Sequence, residues 1–144
     1  MAVNRELVER KIALILQELA NIRPLASMPL EHYRSDPRNE ALAERYLERL
    51  IGRAIDINYH LVSESLLISP KDYAESFLLM EKAGVLSAQE ARLFARMAGL
   101  RNRITHEYNG IDEVIVHEAL QSILVELPRY LEAVREWMNR AGPA

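Results

Sequence analysis

The chain of 144 residues carries 18 Lys and Arg against 21 Asp and Glu, is 49% hydrophobic and contains no Cys, which excludes disulfide scaffolds, Cys-based zinc sites and thiol nucleophiles and fits a reducing cytoplasm. A chain of this size buries roughly 68–70% of the surface its unfolded form exposes, so one domain over residues 1–144 can hold a core without disulfide or metal. The net charge of -3 argues against a general polyanion binder while leaving room for a local basic site. The longest aliphatic run, Ile12 to Leu16, is far below the roughly 20 residues of a membrane span, and the mixed charges of the first residues leave no signal-peptide core, so a cytoplasmic location is expected.

Val8, Ile12, Ile15, Leu19 and Ile22 line one face of a first helix, which leaves Glu6, Arg10, Lys11 and Glu18 for solvent and should end at Pro24. Residues 24–36 hold two prolines and no sustained period, and read as a surface connection. Asp36 as cap and Pro37 in the first turn open a second helix through Ala43, Leu47, Leu50, Ala54, Ile57 and Leu61 to about Ser63. A third is expected from Ser69 and Pro70 to Gly84, burying Tyr73, Phe77 and Leu78 or Met80. Ser87 and Glu90 form a capping box that starts a fourth through Leu93, Phe94, Met97, Leu100 and Ile104, with Gly110 as the stop. Asp112 then caps a long fifth helix along Val116, Leu120, Ile123, Leu127, Leu131, Val134 and Trp137, which Pro128 should bend. No run alternates with period two. The expected class is all-α, an antiparallel bundle of about five helices whose two longest members supply most of the core.

The residues richest in chemistry are Arg101-Asn102-Arg103-Ile104-Thr105-His106-Glu107-Tyr108, at the end of the fourth helix. Arg presents a planar fork of donors suited to a phosphoryl group, and His exchanges a proton near neutral pH. Metal-free RNA cleavage needs a base for the 2′-hydroxyl, an acid for the leaving oxygen and a cation for the charge on phosphorus. One His per chain supplies half of the acid-base pair, and two chains about a two-fold axis would supply both. On an ideal helix Arg101 and His106 lie about 140° apart, so one copy does not easily close on one small substrate. A plainer reading stays open, in which Arg101 caps the helix C-terminus, His106 packs and Tyr108 fills a gap.

Arg101, His106 and Tyr108 match the Rx4HxY motif of the HepT-like toxins of the HEPN superfamily, and the chain resembles that family over roughly residues 3–140. Ala54-Ile-Asp-Ile-Asn-Tyr-His60 is similar to its second-helix signature, and Pro70-Lys-Asp-Tyr-Ala-Glu-Ser-Phe77 to its third-helix start. The resemblance implies a HEPN-like helical domain that is the toxin of a two-gene toxin-antitoxin pair. It further implies a metal-independent ribonuclease in which Arg101 and His106 cleave RNA at a homodimer cleft. The implied partner is a minimal nucleotidyltransferase antitoxin that transfers AMP to Tyr108 and silences the toxin. Asn102, one turn from His106, would orient the imidazole. The alternative is a non-catalytic subunit that only presents Tyr108 and nucleotide contacts to a nucleotidyltransferase.

Other candidates carry less. Asp56 and His60, four apart, could share a metal but lack a third ligand, so a hydrogen-bonded pair at a helix interface is the preferred reading; no metal and no cofactor are assigned. Arg45, Arg49 and Arg53 form a stripe that could hold RNA phosphates, although Glu44 and Glu48 between them favour a solvated face. His32 and His117 read as incidental surface residues.

Overall fold

The computed structural model describes residues 2–107 and 110–141. Among them are six helices and no strand: α1 (Arg5–Ser27), α2 (Leu30–Arg34), α3 (Pro37–Leu66), α4 (Tyr73–Lys82), α5 (Ala88–His106) and α6 (Glu113–Ala141). The two longest, α3 with 30 residues and α6 with 29, supply much of the core, as the apolar pattern predicts. α3 packs against every other helix, while α4 and α5 lie against one another and α1 bridges α3 and α6.

The apolar stripes go where their periods send them. Val8, Ile12, Ile15, Leu19 and Ile22 of α1 meet Leu47, Leu50, Ala54, Ile57 and Leu61 of α3 and Val116 to Val134 of α6 in one buried cluster. Each fully buried Leu or Ile contributes about 1.5–3 kcal/mol of transfer free energy, far above the few tenths separating helix propensities at such positions. The caps at Asp36, Ser87 and Asp112 form as expected: Asp36 accepts from the Arg38 N–H at 3.0 Å, and Asp112 from the Val114 N–H at 2.8 Å. Ser87 and Glu90 close a reciprocal capping box.

Five expectations need correction. Pro24 does not end α1, which continues to Ser27: so close to the terminus Pro24 removes a single hydrogen bond, and Leu25 and Ala26 become buried in return. The supposed connection contains α2, a short turn of helix anchored by Tyr33, which is 1% exposed. α4 begins at Tyr73 rather than near Ser69, because the Asp72 carboxylate accepts from the Glu75 N–H at 2.8 Å while Glu75 accepts from the Lys71 N–H at 3.1 Å. Of the residues assigned to its buried face, Phe77 and Met80 are buried, whereas Leu78 and Tyr73 are exposed. α5 stops at His106, four residues before Gly110, whose φ of 88° lies in the left-handed region. α6 continues through Pro128, as the apolar line on both sides of it predicts.

Polar side chains tie the helices at set points. Asn58 and Ser76, both 0% exposed, join α3 to α4 through an Asn58 Nδ2 to Ser76 Oγ bond of 3.1 Å, and the Tyr130 hydroxyl of α6 reaches Asn58 Oδ1 at 2.5 Å. His117, expected at the surface, is buried: its Nε2 is 2.8 Å from the Met28 carbonyl and its ring lies 4.8 Å from that of Tyr33. His32 is exposed.

Candidate active site

The last turn of α5 carries the motif, and α3 and α4 give it its surroundings. Arg101 is half-buried. Its guanidinium carbon lies 5.0 Å from the centre of the Tyr73 ring, a cation–π contact that holds the side chain back along α3. Its Nε is buried and meets no hydrogen-bond acceptor. Gly52 of α3 faces it: a Cβ built there would stand 3.8 Å from Arg101 Nε, an ordinary van der Waals contact. Arg101 therefore does not cap the end of α5, as the plainer reading supposes.

Arg101 opens into a cleft of about 310 Å³ lined also by Lys11, Arg49, Arg53, Asp56 and Tyr73. Lys11 pairs with Asp56 at 2.9 Å, and Arg53 with Glu18 at 3.5 Å. Both acids thus answer to α1–α3 partners. Asp56 and His60 do not bond to one another as the sequence suggested, because His60 Nε2 accepts from the Asn4 N–H at 2.8 Å. Among the described residues no group of three His, Cys, Asp or Glu is placed to hold a metal. Lys11 and Glu18, assigned to solvent from the period of the first helix, are instead an interhelical partner and a buried carboxylate. The arginine stripe divides in three: Arg45 pairs with Glu48 at 3.1 Å, Arg53 is drawn inward, and Arg49 stands exposed on the cleft wall.

Beyond Arg101 the helix turns its functional atoms outward. Asn102 and His106 are exposed, so His106 does not pack. Thr105 donates to Glu48 at 2.9 Å and Arg103 pairs with Glu107 at 3.1 Å, which pins the final turn to α3 and to itself. Glu107 closes the helix through its N–H to the Arg103 carbonyl. Tyr108 lies outside the described residues. Ile111 is buried, 7% exposed. Arg101 and His106 thus project to different surroundings, one into the cleft and one into solvent at the helix end.

Sequence reasoning missed Tyr73, Lys11 and Gly52 as neighbours of Arg101. Tyr73 followed a helical period that its late N-cap shifts out of the core. The i, i+4 spacing of Arg49 and Arg53, with Gly52 between them on a helix face toward α5, was the available signal.

Comparison with known proteins identifies the family. The family described as ribonuclease HepT-like matches residues 15–134. A tRNA nuclease HepT from Aphanizomenon flos-aquae is 31% identical over 134 residues, 92% of this chain and 90% of that protein. An mRNA nuclease HepT from Shewanella oneidensis is 25% identical over 89 residues, 62% of this chain and 67% of that protein. In three dimensions the chain superposes with a TM-score of 0.83 on the tri-AMPylated Shewanella oneidensis HEPN toxin solved in complex with an MNT antitoxin, at 21% identity and covering 92% of this chain and 99% of that one. The chain belongs to the HepT-like ribonuclease family.

Proposed function

We propose that this protein is a cytoplasmic ribonuclease toxin of a HEPN and minimal-nucleotidyltransferase pair, cutting RNA without metal through Arg101 and His106 at a homodimer cleft. The observation that carries the reading is the state of the motif arginine: a guanidinium edge is held in a basic cleft with Nε buried and no acceptor, as a site awaiting an anion requires. Relatives named as tRNA and mRNA nucleases supply the substrate class. In the mechanism, an imidazole takes the 2′-hydroxyl proton, the oxygen attacks phosphorus, and a protonated imidazole gives its proton to the departing 5′-oxygen. Arg101 lies against the phosphate oxygens as charge builds on them. The products are a cyclic phosphate and a free 5′-hydroxyl.

Each chain offers one motif histidine, so acid and base come from two protomers. The groove between α5 and α6, whose apolar residues Leu93, Met97, Leu100, Ile115, Ala119 and Ile123 are flanked by Arg96, Arg103 and Glu126, runs beside the motif and offers a dimer surface. Tyr108, two residues past His106, is the proposed AMP acceptor: an adenylyl group there would set a phosphodiester charge near Arg101 and repel incoming RNA. The tri-AMPylated toxin of Shewanella oneidensis, in complex with its MNT antitoxin, supports that assignment. Asn102 is the proposed support for His106.

Cleavage assays test the reading. Purified unmodified protein should cut RNA in EDTA and leave cyclic phosphate or its hydrolysis product, and His106→Ala and Arg101→Ala should each lose at least about a hundredfold with far-UV dichroism unchanged. A strict requirement for added metal would end the proposed mechanism. Cleavage retained by His106→Ala would end the assignment. With a cognate nucleotidyltransferase, ATP and Mg²⁺, intact mass should rise by AMP units in the parent and not in Tyr108→Phe.

A further inference from the structure

We infer that the cleft beside Arg101 is a second phosphate subsite, in which Arg49 holds an RNA phosphate flanking the scissile one. This rests on the ribonuclease reading and names how the strand is gripped.

The first observation is charge. Four cations, Lys11, Arg49, Arg53 and Arg101, line one cleft, and the acids within reach are already engaged, Asp56 by Lys11 at 2.9 Å and Glu18 by Arg53 at 3.5 Å. Arg49 and Arg101 remain without a carboxylate among the described residues. Two uncompensated guanidinium groups on one cleft wall repel one another, and a bound anion removes that cost.

The second observation is hydrogen bonding. Arg101 Nε is a buried donor without an acceptor, whereas the buried Arg53 Nη1 has its ion pair with Glu18 Oε1 at 3.5 Å; both residues line this cleft. A donor buried without an acceptor is costly, so Arg101 Nε marks a place where an acceptor arrives with a ligand.

The third is placement. Arg49 precedes Gly52 by three residues on α3, and Gly52 is the residue against which Arg101 Nε rests. The subsite is therefore continuous with the motif arginine. His106 stands apart from this cleft, at the exposed end of α5, which puts the proton-transfer chemistry to one side and the extra grip on the strand to the other. A cleft of about 310 Å³ lies at the small end of ligand pockets, roughly 300–1,000 Å³, and suits one phosphate with part of its nucleotide.

The test measures binding apart from cleavage. A fluorescein-labelled single-stranded RNA of about twelve nucleotides is titrated with His106→Ala protein, which holds the RNA uncut, between roughly 50 and 200 mM salt. Arg49→Gln, in the same background, should weaken binding about three- to tenfold and lower the log–log salt slope by roughly 0.7, the signature of one lost single-strand phosphate contact. Arg49→Lys should recover part of the affinity and the whole slope. Arg92→Gln is the control: Arg92 is exposed and nine residues before Arg101, half a turn away around α5, so its loss should leave the slope unchanged. With active protein, Arg49→Gln should raise KM and leave kcat within about twofold.

An Arg49→Gln curve that coincides with Arg92→Gln in affinity and slope would overturn the subsite, even if the parent cuts RNA. Absence of any RNA binding would overturn both proposals. Arg49-dependent binding by a parent chain that cuts nothing would remove the ribonuclease reading and leave the subsite standing.

Discussion

Glu40 is the residue at which charge, burial and fold meet most sharply. It lies on α3 where α2 and α6 converge, accepts a hydrogen bond from the Tyr33 hydroxyl, and has the Glu44 and Glu113 carboxylates near it. Burial, reinforced by Glu44, pushes its carboxyl from the ordinary 4.5 up to about 8, although the Tyr33 bond pulls the other way. Arg34 is held by Glu113 at 2.8 Å. The sign of the linkage follows from which state holds the proton. Between about pH 4.5 and 8 folded Glu40 keeps a proton that the unfolded chain has released, so the native state binds more protons and stability falls as pH rises through that window. Glu40→Gln keeps an acceptor for Tyr33 and cannot ionise. Its melting temperature should gain on that of the parent from pH 5 upward and level off above about 8; parallel curves from pH 5 to 9 would show that Glu40 is ordinary in the folded protein. None of this was legible beforehand. Tyr33 lies in a segment without period and His117 among exposed-looking neighbours, and only the contact of their tilted rings reveals a buried polar corner.

At the scale of elements, the helices were legible wherever an apolar stripe and a cap agreed. α3, α5 and α6 have Asp36, Ser87 and Asp112 at their starts, and each stripe reaches the core. Legibility failed where two local signals competed, as at Ser69-Pro70 against Asp72, and where tertiary burial outweighed a breaker, as at Pro24. The site divides similarly: the motif was visible as residue types on one turn, whereas Tyr73 and Lys11 reach Arg101's cleft from α4 and α1, over distances in sequence that no periodicity records. The tie between α3, α4 and α6 gives a sharp element-scale test. The Tyr130 hydroxyl is one donor facing two acceptors, Asn58 Oδ1 at 2.5 Å and the Ala54 carbonyl at 3.0 Å, in a site with no water access at Asn58. Tyr130→Phe should destabilise by about 1–3 kcal/mol in urea titration with an unchanged m-value, since it strands a buried acceptor. A change below about 0.5 kcal/mol would mean that the network contributes nothing to holding the helices. The end of α3 offers the opposite sign: Leu67 is 84% exposed yet adopts φ 58°, ψ 32° as C-cap. That left-handed conformation costs a residue with a Cβ about 1 kcal/mol or more, so Leu67→Gly should stabilise by about half a kcal/mol after its greater unfolded entropy is deducted.

For the whole molecule, the proposed mechanism asks residues that project to different surroundings to act on one phosphate. Arg101 is held in its cleft against the Tyr73 ring, whereas His106 stands in solvent at the end of the same helix. A single protomer would have to unwind the last turn of α5, against the Thr105 to Glu48 and Arg103 to Glu107 contacts, to bring the two together. A two-fold dimer needs no such unwinding, because the histidine of one protomer can face the arginine of its partner. The prediction is therefore about complementation. Arg101→Ala and His106→Ala proteins, each inactive alone, should regain cleavage when unfolded together and refolded as a mixture. Random pairing makes about half of the dimers mixed, and each mixed dimer keeps one intact arginine–histidine pairing out of two, which sets a ceiling of about a quarter of parental activity. If both histidines serve one cleft as acid and base, the recovered rate lies well below that ceiling but above either variant. Sedimentation should find a dimer at micromolar concentration, burying more than about 1,000 Å². A fully active monomer, or a mixture no more active than its components, would place the chemistry within a single chain and require the end of α5 to rearrange when RNA binds.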